Sequence, residues 1–371
     1  MQVNPQIGQL FFIGISGKAL TSDEKKFIVE NNIGGVILFG RNVGDPKQVH
    51  ELCSEIQSIR HQQADKAPLM IGIDMEGGRV HRLKSPFTVW PPAARLGEID
   101  NPTVSFHFAN MMGTELRSVG INLDFAPCVD VFTNPANKVI GDRSISSDVA
   151  LVEKHASALV RGYLKSNVIS CAKHFPGHGN TFLDSHEDLP VEEVDLARLE
   201  SLELLPFKKA FRARADMVLT AHIRFPKIDP VWPATLSEIF LKRLLRDELK
   251  FRGLIVTDDL GMGALVKHYS HEEIAVRALE AGVDQLLYCN EPDVPPIALE
   301  AVQTALAQGR LQKADLEAKY RRVLEVKAER LKNPDPLPFD EAIQLIGIEA
   351  HRRVAEAVAQ GQAPTGLLGE A

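Results

Sequence analysis

The feature that most constrains this chain is a regular alternation of short apolar runs with longer amphipathic stretches. Runs rich in aliphatic and β-branched residues predict eight strands, at 10–15, 35–39, 69–74, 123–127, 168–173, 217–222, 254–258 and 285–289. Amphipathic patterns between them predict helices, including those at 45–60, 102–118, 195–215 and 237–250. Strands that alternate with helices pair in parallel through right-handed crossovers. The sequence therefore predicts an α/β fold of the (β/α)8 barrel type, with a doubly wound open sheet as the alternative.

Polar residues fall where several of the predicted strands end. The five positions at or near a strand's C-terminal end are Asp74, Asp124, Lys173, His222 and Asp258. In a (β/α)8 barrel this end of the strands carries the active site. We therefore expect these side chains to share one site.

The segment 173–186, with the sequence KHFPGHGNTFLDSH, combines three histidines with loop-forming proline and glycine. Asp184 stands two residues before His186, where a carboxylate can orient the ring and stabilise its imidazolium. The alternative is a surface Asp-x-His turn in which both groups are solvated. His174 and His178 have the spacing of a helical zinc pair, but the proline and glycine between them oppose a helix, so no metal is predicted.

Two adjacent carboxylates, Asp258 and Asp259, follow the seventh predicted strand. Successive strand residues point to opposite faces, so if the strand geometry persists we expect only one of them to enter the barrel mouth. A carboxylate there can act as a nucleophile on a sugar carbon or as a general base. Both could instead cap the following loop, and the sequence favours neither residue over the other.

Arginines follow two other strands. Arg79 and Arg82 come after the Gly77–Gly78 turn, where either could pair with Glu76 as a structural buttress. Arg143 lies on the long loop after the fourth strand. A planar guanidinium at that place suits sugar hydroxyls or a carboxylate.

Taken together, these motifs resemble one enzyme family over residues 7–290. The matching segments are IDMEGGRVHR, NLDFAPCVDV, VIGDRS, the segment 173–186, PATLS, FRGLIVTDDLGMGAL and AGVDQLL. The chain resembles glycoside hydrolase family 3 in its β-N-acetylglucosaminidase branch. The resemblance implies a (β/α)8 barrel, retaining hydrolysis of β-linked N-acetylglucosamine, and 1,6-anhydromuramyl fragments of peptidoglycan as the substrate.

The same resemblance implies roles for individual residues. Asp258 corresponds to the nucleophile, His186 to the acid/base, and Asp184 to its partner in the dyad. The positions that correspond to sugar-binding residues are Asp74, Arg82, Arg143, Lys173 and His174. One departure is Met75, where the family commonly has Gln. Family members of the β-glucosidase type add a second domain with a catalytic carboxylate, which the Asp184–His186 pair makes unnecessary here.

Bulk properties limit the remaining possibilities. A net charge of -7 argues against nucleic acid or an anionic membrane as a partner, and the chain has no run of 18 apolar residues. The absence of a secretory signal and four scattered cysteines indicate a cytoplasmic protein. We expect one catalytic barrel over 1–335, a C-terminal helix and frayed tail over 336–371, a small carbohydrate substrate, and no cofactor. Two other functions stay open: a phosphorylase that transfers the sugar to phosphate, and a catalytically silent sugar-binding barrel.

Overall fold

A computed structural model describes residues 4–185 and 188–366, and in it eight parallel strands close into a barrel. The strands are β1 (Phe11–Gly14), β2 (Gly35–Leu38), β3 (Met70–Ile73), β4 (Leu123–Asp124), β5 (Ile169–Phe175), β6 (Met217–Thr220), β7 (Leu254–Asp259) and β8 (Gln285–Tyr288). β8 pairs with β1, with Leu287 opposite Phe12, which closes the sheet. The predicted (β/α)8 barrel is confirmed, and the open-sheet alternative is wrong.

Helices surround the barrel and continue beyond its last strand. They are α1 (Pro5–Gly8), α2 (Ser22–Glu30), α3 (Pro46–Ser58), α4 (Ala94–Ile99), α5 (Pro102–Ser118), α6 (Val149–Lys165), α7 (Leu196–Ser201), α8 (Leu204–Arg212), α9 (Gly263–Val266), α10 (His271–Ala281), α11 (Val294–Ala307), α12 (Lys313–Arg330), α13 (Phe339–Ala342) and α14 (Glu349–Ala359). A π-helical segment, Ile239–Glu248, occupies the place of the helix predicted at 237–250. Short 3-10 turns lie at Gly40–Asn42, Ile59–Gln62, Gly141–Arg143, Ala234–Leu236 and Ile343–Leu345. Among the described residues, no helix is long and apolar enough to cross a membrane.

Local signals account for most helix ends. Helix α5 covers the predicted 102–118, because Asn101 caps its first turn through Thr103 N and a proline occupies its first position. The single helix predicted at 195–215 is instead two helices, since Leu202 leaves the helical region at φ -138° and ψ -75°. The break lets Phe207 of α8 pack edge-on against Phe175 of β5, with ring centroids 5.4 Å apart.

The chain after β8 packs on the outside and the bottom of the barrel. Lys327 of α12 donates to Gln9 Oε1 (2.6 Å) and Gly34 O (2.8 Å), below β1 and β2, and its burial lowers the pKa of this lysine to about 7. The helical pattern at 339–360 is interrupted at Gly347, which has φ +55° and whose Cβ would meet a carbonyl oxygen at 1.9 Å. Beyond that break, His351 of α14 contacts Glu115 of α5 at 2.7 Å. The division of the chain into a catalytic barrel over 1–335 and a C-terminal helix and tail over 336–371 stays a prediction.

Candidate active site

A cavity of about 210 Å³ opens at the C-terminal ends of the strands. Its charged and polar lining includes Asp74, Arg82, Arg143, Lys173, His174, His178, Asp258, Asp259 and Asn290. Apolar side chains of the barrel interior complete the wall, among them Ile37, Phe39, Phe125, Leu219, Met262 and Leu287. The five residues expected to hold a sugar therefore lie around the same cavity as Asp258.

Lys173, from the C-terminal half of β5, is the buried cation of this site. Its ammonium nitrogen lies 2.7 Å from Asp74 Oδ1 and 2.6 Å from Glu76 Oε1, and the residue is only 2% exposed. Burial alone would lower the pKa of Lys173, but the two carboxylates raise it above its usual value. The lysine is therefore a fixed positive charge at neutral pH.

Arg143 forms the second half of this ion cluster. Its guanidinium contacts both Glu76 oxygens, at 2.9 Å and 2.8 Å, in a bidentate pair. Burial acts to raise the pKa of Glu76, yet Arg143 and Lys173 hold it well below its ordinary range. Glu76 thus carries a permanent negative charge between two cations.

Glu76 pairs with Arg143 and Lys173, so the alternative in which Arg79 or Arg82 pairs with Glu76 is not the one found. Arg79 instead contacts Asp142 at 3.3 Å and donates to the carbonyl groups of residues 138–140. Arg82 lies over the Phe39 ring at 5.9 Å, on the cavity wall. The reason is tertiary: two cations distant in sequence approach the buried Glu76 carboxylate.

Asp130, which the sequence analysis did not single out, orients His174. Its Oδ2 lies 2.7 Å from His174 Nδ1, and its Oδ1 accepts from the backbone N–H of His178 at 2.6 Å. Arg143 Nη2, a donor, is 3.2 Å from His174 Nε2, so Nδ1 carries the proton that Asp130 accepts. Burial would raise the pKa of Asp130, but His174 and His178 lower it to about 2. Asp130 lies within the matching segment NLDFAPCVDV, but position at a strand end does not mark it, because it stands beyond the end of β4.

Cys128 lies beside Asp130 and His174, and the donor atoms of these three side chains are within 4.8 Å of one another. A metal site would need the thiolate form of the cysteine. Burial raises the pKa of Cys128 well above its ordinary value, and the thiol donates to Asp130 Oδ2 at 3.3 Å. These contacts are those of a hydrogen-bonded group that supports His174.

Asp258 and Asp259 differ in what their carboxylates contact. Asp259 accepts from the backbone N–H groups of Gly261 and Cys289, each at 3.1 Å, and from Asn290 Nδ2 at 3.2 Å, which ties β7 to the segment after β8. Asp258 Oδ1 accepts from the Asp259 N–H at 2.8 Å. Burial would raise the pKa of Asp258, but His222 and His174 lower it below the ordinary value. Asp259 is thus held as a loop cap, while Asp258 is an ionised carboxylate in the cavity.

Both aspartates line the cavity, contrary to the expectation that only one would enter the barrel mouth. The pairing of β7 with β8 shifts register between Val256 and Asp259. Strict alternation of side chains between the two faces fails across such an irregularity.

Two of the five strand-end residues lie outside the cavity. Asp124 is fully buried, accepts from Met75 N at 2.9 Å, and has a pKa that burial raises well above the ordinary value. His222 is 1% exposed, with Thr235 Oγ1 at 2.8 Å from Nδ1 and the carbonyl oxygen of Asp259 at 3.0 Å from Nε2. The expectation of a single shared site is therefore correct for Asp74, Lys173 and Asp258 only.

The loop after β5 carries Asp184, and His186 lies outside the described residues. His178 is buried, and its Nδ1 lies 2.7 Å from Thr181 Oγ1. Its Nε2 lies 3.2 Å from Ser185 Oγ. The carbonyl oxygen of Ser185 accepts from Ala264 N at 3.2 Å, at the start of α9. These bonds hold the loop residue after Asp184 close to the segment that follows β7.

Comparisons with known proteins show that this chain is similar to glycoside hydrolases of one family. Residues 2–326 match the model of the glycosyl hydrolase family 3 N-terminal domain. A curated β-hexosaminidase from Nitrosomonas eutropha is 36% identical over 297 residues, which cover 78% of this chain and 83% of the relative. A glycoside hydrolase family 3 β-N-acetylglucosaminidase from Paenibacillus superposes with a TM-score of 0.90 at 36% identity, over 98% of this chain and 69% of that one. NagZ from Neisseria gonorrhoeae, solved with N-trifluoroacetyl-D-glucosamine, gives 0.77 at 31% identity, over 95% and 98% of the two chains.

Unfolding free energy should depend on the protonation of His178. Burial, with His174 nearby, lowers the pKa of His178 to about 4, whereas an unfolded histidine titrates near 6.5. Between these two pKa values, His178 is protonated in the unfolded chain and neutral in the native protein. The free energy of unfolding should therefore fall by about 3 kcal/mol, through His178 alone, as the pH falls from about 6.5 to about 4.

Urea unfolding of wild type and His178→Asn between pH 7.5 and 4.5 measures this effect. Asn keeps an N–H donor for Thr181 but does not titrate, so the stability difference between the two proteins should shift in favour of the variant as the pH falls. His61→Gln, at an exposed position, is the matched control and should parallel wild type. A wild-type slope in His178→Asn would contradict the neutral assignment of His178.

Proposed function

This chain belongs to glycosyl hydrolase family 3 and is a glycoside hydrolase, and we propose that it is a retaining, exo-acting β-N-acetylglucosaminidase. The observation that carries the proposal is one half-buried, ionised carboxylate, Asp258, in a cavity whose other charged groups are suited to sugar hydroxyls. The cavity is smaller than the roughly 300–1,000 Å³ of sites for drug-sized ligands, which suits a single terminal sugar.

In the first step, a carboxylate oxygen of Asp258 attacks the anomeric carbon and the glycosidic bond breaks. The product is a covalent glycosyl-enzyme, as in retaining glycosidases generally. Support comes from the lowered pKa of Asp258, which keeps it unprotonated at neutral pH, and from its place on the cavity wall. Asp259 is the less suitable nucleophile, because both of its oxygens are engaged by N–H donors.

Proton transfer is assigned to His186 with Asp184. The imidazolium of His186 protonates the departing oxygen, and the neutral ring then takes a proton from the water that releases the sugar from Asp258. Asp184 favours the imidazolium and orients the ring. The support is the spacing of the two residues, together with the bond from Ala264 N to the carbonyl group of Ser185, which brings this loop beside the segment after Asp258.

Sugar binding is assigned to Asp74, Arg82, Arg143, Lys173 and His174. Asp74 and Lys173 offer an acceptor and a donor 2.7 Å apart, an arrangement that suits a hydroxyl group bonded to both. The His174 ring is fixed by Asp130, so its orientation does not depend on the ligand. Such fixed groups hold the anomeric carbon against Asp258 without first rearranging.

For the natural substrate we propose terminal N-acetylglucosamine on 1,6-anhydromuramyl fragments of peptidoglycan, handled in the cytoplasm. Curated relatives are β-hexosaminidases, and a solved neighbour was crystallised with an N-acylated glucosamine, which supports the sugar. The four cysteines are buried, unpaired thiols, which supports a reducing compartment. A histidine acid in place of a carboxylate would also tolerate phosphate as acceptor, so phosphorolysis is the second candidate.

The proposed function predicts rapid hydrolysis of a chromogenic β-N-acetylglucosaminide and little reaction with the matching β-glucoside. Both should be assayed with and without phosphate, with the sugar product identified, and chitobiose compared with an N-acetylglucosaminyl 1,6-anhydromuramyl disaccharide. Free N-acetylglucosamine under all conditions, with higher kcat/KM on the anhydromuramyl substrate, is expected. Sugar 1-phosphate as the main product would favour the phosphorylase, and binding without turnover the silent barrel.

Asp258→Asn should lower kcat by about 10⁴-fold or more, because the amide cannot form the glycosyl ester. Asp259→Asn is the matched comparison: it alters a loop cap, and the loss should be at least ten times smaller. Peptide mass spectrometry after incubation with a slow fluorinated N-acetylglucosaminide should place the label on Asp258. A label on Asp259 or on another residue would overturn the assignment.

Asp184→Asn should slow turnover most for substrates whose leaving group must be protonated as it departs. With a poor alkyl leaving group we expect a loss of about 10²–10⁴-fold, the usual contribution of general acid catalysis. With a highly activated aryl leaving group, cleavage should fall far less. Glu192→Gln, on the same loop region but hydrogen-bonded to Asn180, is the control and should affect both substrates equally. An equal loss for both substrates in Asp184→Asn would contradict the dyad.

A further inference from the structure

His222, which follows β6, has both ring nitrogens against oxygen atoms. Nδ1 lies 2.8 Å from Thr235 Oγ1, and Nε2 lies 3.0 Å from the carbonyl oxygen of Asp259. The second of these oxygens belongs to Asp259, the residue directly after Asp258. The ring is 1% exposed and lies outside the set of residues to which the proposed function gives a role.

The hydrogen bonds around Thr235 decide where the protons of His222 reside. Thr235 Oγ1 has three neighbours: His222 Nδ1, the carbonyl oxygen of Ala221 at 2.9 Å, and Thr220 Oγ1 at 2.9 Å. A hydroxyl has one proton to donate, and Ala221 O can only accept. When the Thr235 hydroxyl donates its hydrogen bond to Ala221 O, its oxygen accepts from both Thr220 and His222 Nδ1.

The other ring nitrogen faces a carbonyl oxygen, which also can only accept. Nε2 must therefore carry a proton as well, since a bare nitrogen 3.0 Å from Asp259 O would be repelled. A neutral ring with its proton on Nε2 satisfies both contacts only if the Thr235 hydroxyl turns away from Ala221 O to donate to Nδ1, which takes that donor from the carbonyl oxygen, whereas an imidazolium keeps all of these bonds. A buried polar group left unpaired costs about 1–3 kcal/mol, which favours the doubly protonated form.

We propose that His222 is a positioning residue held as an imidazolium, whose charge keeps the adjacent nucleophile Asp258 ionised. The inference rests on the proposed role of Asp258 as nucleophile. Thr235 then acts as the acceptor that fixes the proton on Nδ1, and the Asp259 carbonyl group aligns the ring beside β7. The positive charge then lies beside the end of β7, the strand that carries Asp258.

Other charged and titratable groups also face Asp258. Lys173 and His174 approach it from β5, Asp259 adjoins it on β7, and Cys289 approaches from the end of β8. Lys173 is already neutralised by Asp74 and Glu76, and His174 donates to Asp130. We therefore assign the positive charge that compensates Asp258 to His222.

The charge of the ring is measured directly by nitrogen NMR on histidine-labelled protein. In wild type, both nitrogens of His222 should show imidazolium shifts at pH 7, with assignment from the signal lost in His222→Gln. In Thr235→Val the oxygen that receives the Nδ1 proton is gone, so deprotonation should move to lower pH, while Thr235→Ser should resemble wild type. A bare, non-protonated nitrogen at pH 7 in wild type would overturn the proposal.

The electrostatic coupling between His222 and Asp258 is measured by the pH dependence of turnover. Removing a nearby opposite charge raises a carboxyl pKa by about one to three units. The acid limb of kcat/KM on an activated aryl N-acetylglucosaminide should therefore move up by at least one pH unit in His222→Gln, with the basic limb unchanged. His61→Gln, at an exposed position, should match wild type. An unshifted acid limb in folded His222→Gln would refute the proposal.

A reciprocal experiment separates this inference from the proposed function. In Asp258→Asn the imidazolium of His222 loses its counter-charge, so its NMR titration should move to lower pH by a similar amount. That shift supports the charge pair even in a preparation with no glycosidase activity, a result that would refute the proposed function alone. An unchanged His222 titration in Asp258→Asn refutes the charge pair, whether or not the wild type turns over substrate.

Discussion

The active-site end of this barrel is organised around one buried ammonium group, that of Lys173. A charge removed from water costs several kcal/mol unless opposite charges and hydrogen bonds surround it. Asp74 and Glu76, from the end of β3 and the residues after it, supply that compensation. Glu76 then requires a second cation, which is Arg143, and Arg143 meets His174, whose other nitrogen is bound by Asp130. Segments after β3, β4 and β5 are thus fixed relative to one another by a single chain of charges.

This network divides the cavity into two electrostatic parts. On one side, cations and carboxylates neutralise one another and present donors and acceptors in fixed positions. On the other side, Asp258 stands among groups that keep it ionised despite its partial burial. Under the proposed function, a neutral sugar bound between the two sides meets directional hydrogen bonds at its hydroxyl groups and the negative charge of Asp258 near its anomeric carbon. Electrostatic stabilisation of a developing oxocarbenium ion needs that arrangement.

The sequence predicted the barrel and most of the cavity, because both depend on short-range patterns. Strand periodicity located all eight strands, and the rule that barrel sites lie at strand ends brought Asp74, Lys173 and Asp258 together. This rule fails for Asp124 and His222, which also lie at strand ends but are buried outside the cavity. Partners distant in sequence were also missed, since nothing near Glu76 indicates Arg143 and nothing near Asp130 indicates His174. The break at Leu202 and the register shift in β7 are likewise tertiary effects on otherwise regular patterns.

The loop after β5 is joined to the segment after β7 through the carbonyl group of Ser185 and the N–H of Ala264. Lys173 and His174 begin the same stretch of chain that ends at Asp184 and Ser185. Under the proposed mechanism, sugar recognition and proton transfer are thus encoded in one short contiguous piece of chain, whose far end is hydrogen-bonded to the segment after β7. Such a piece can be exchanged between related barrels as a unit only when its anchoring backbone group is exchanged with it. Grafting the loop alone would transfer its residues without the contact that sets their distance from β7.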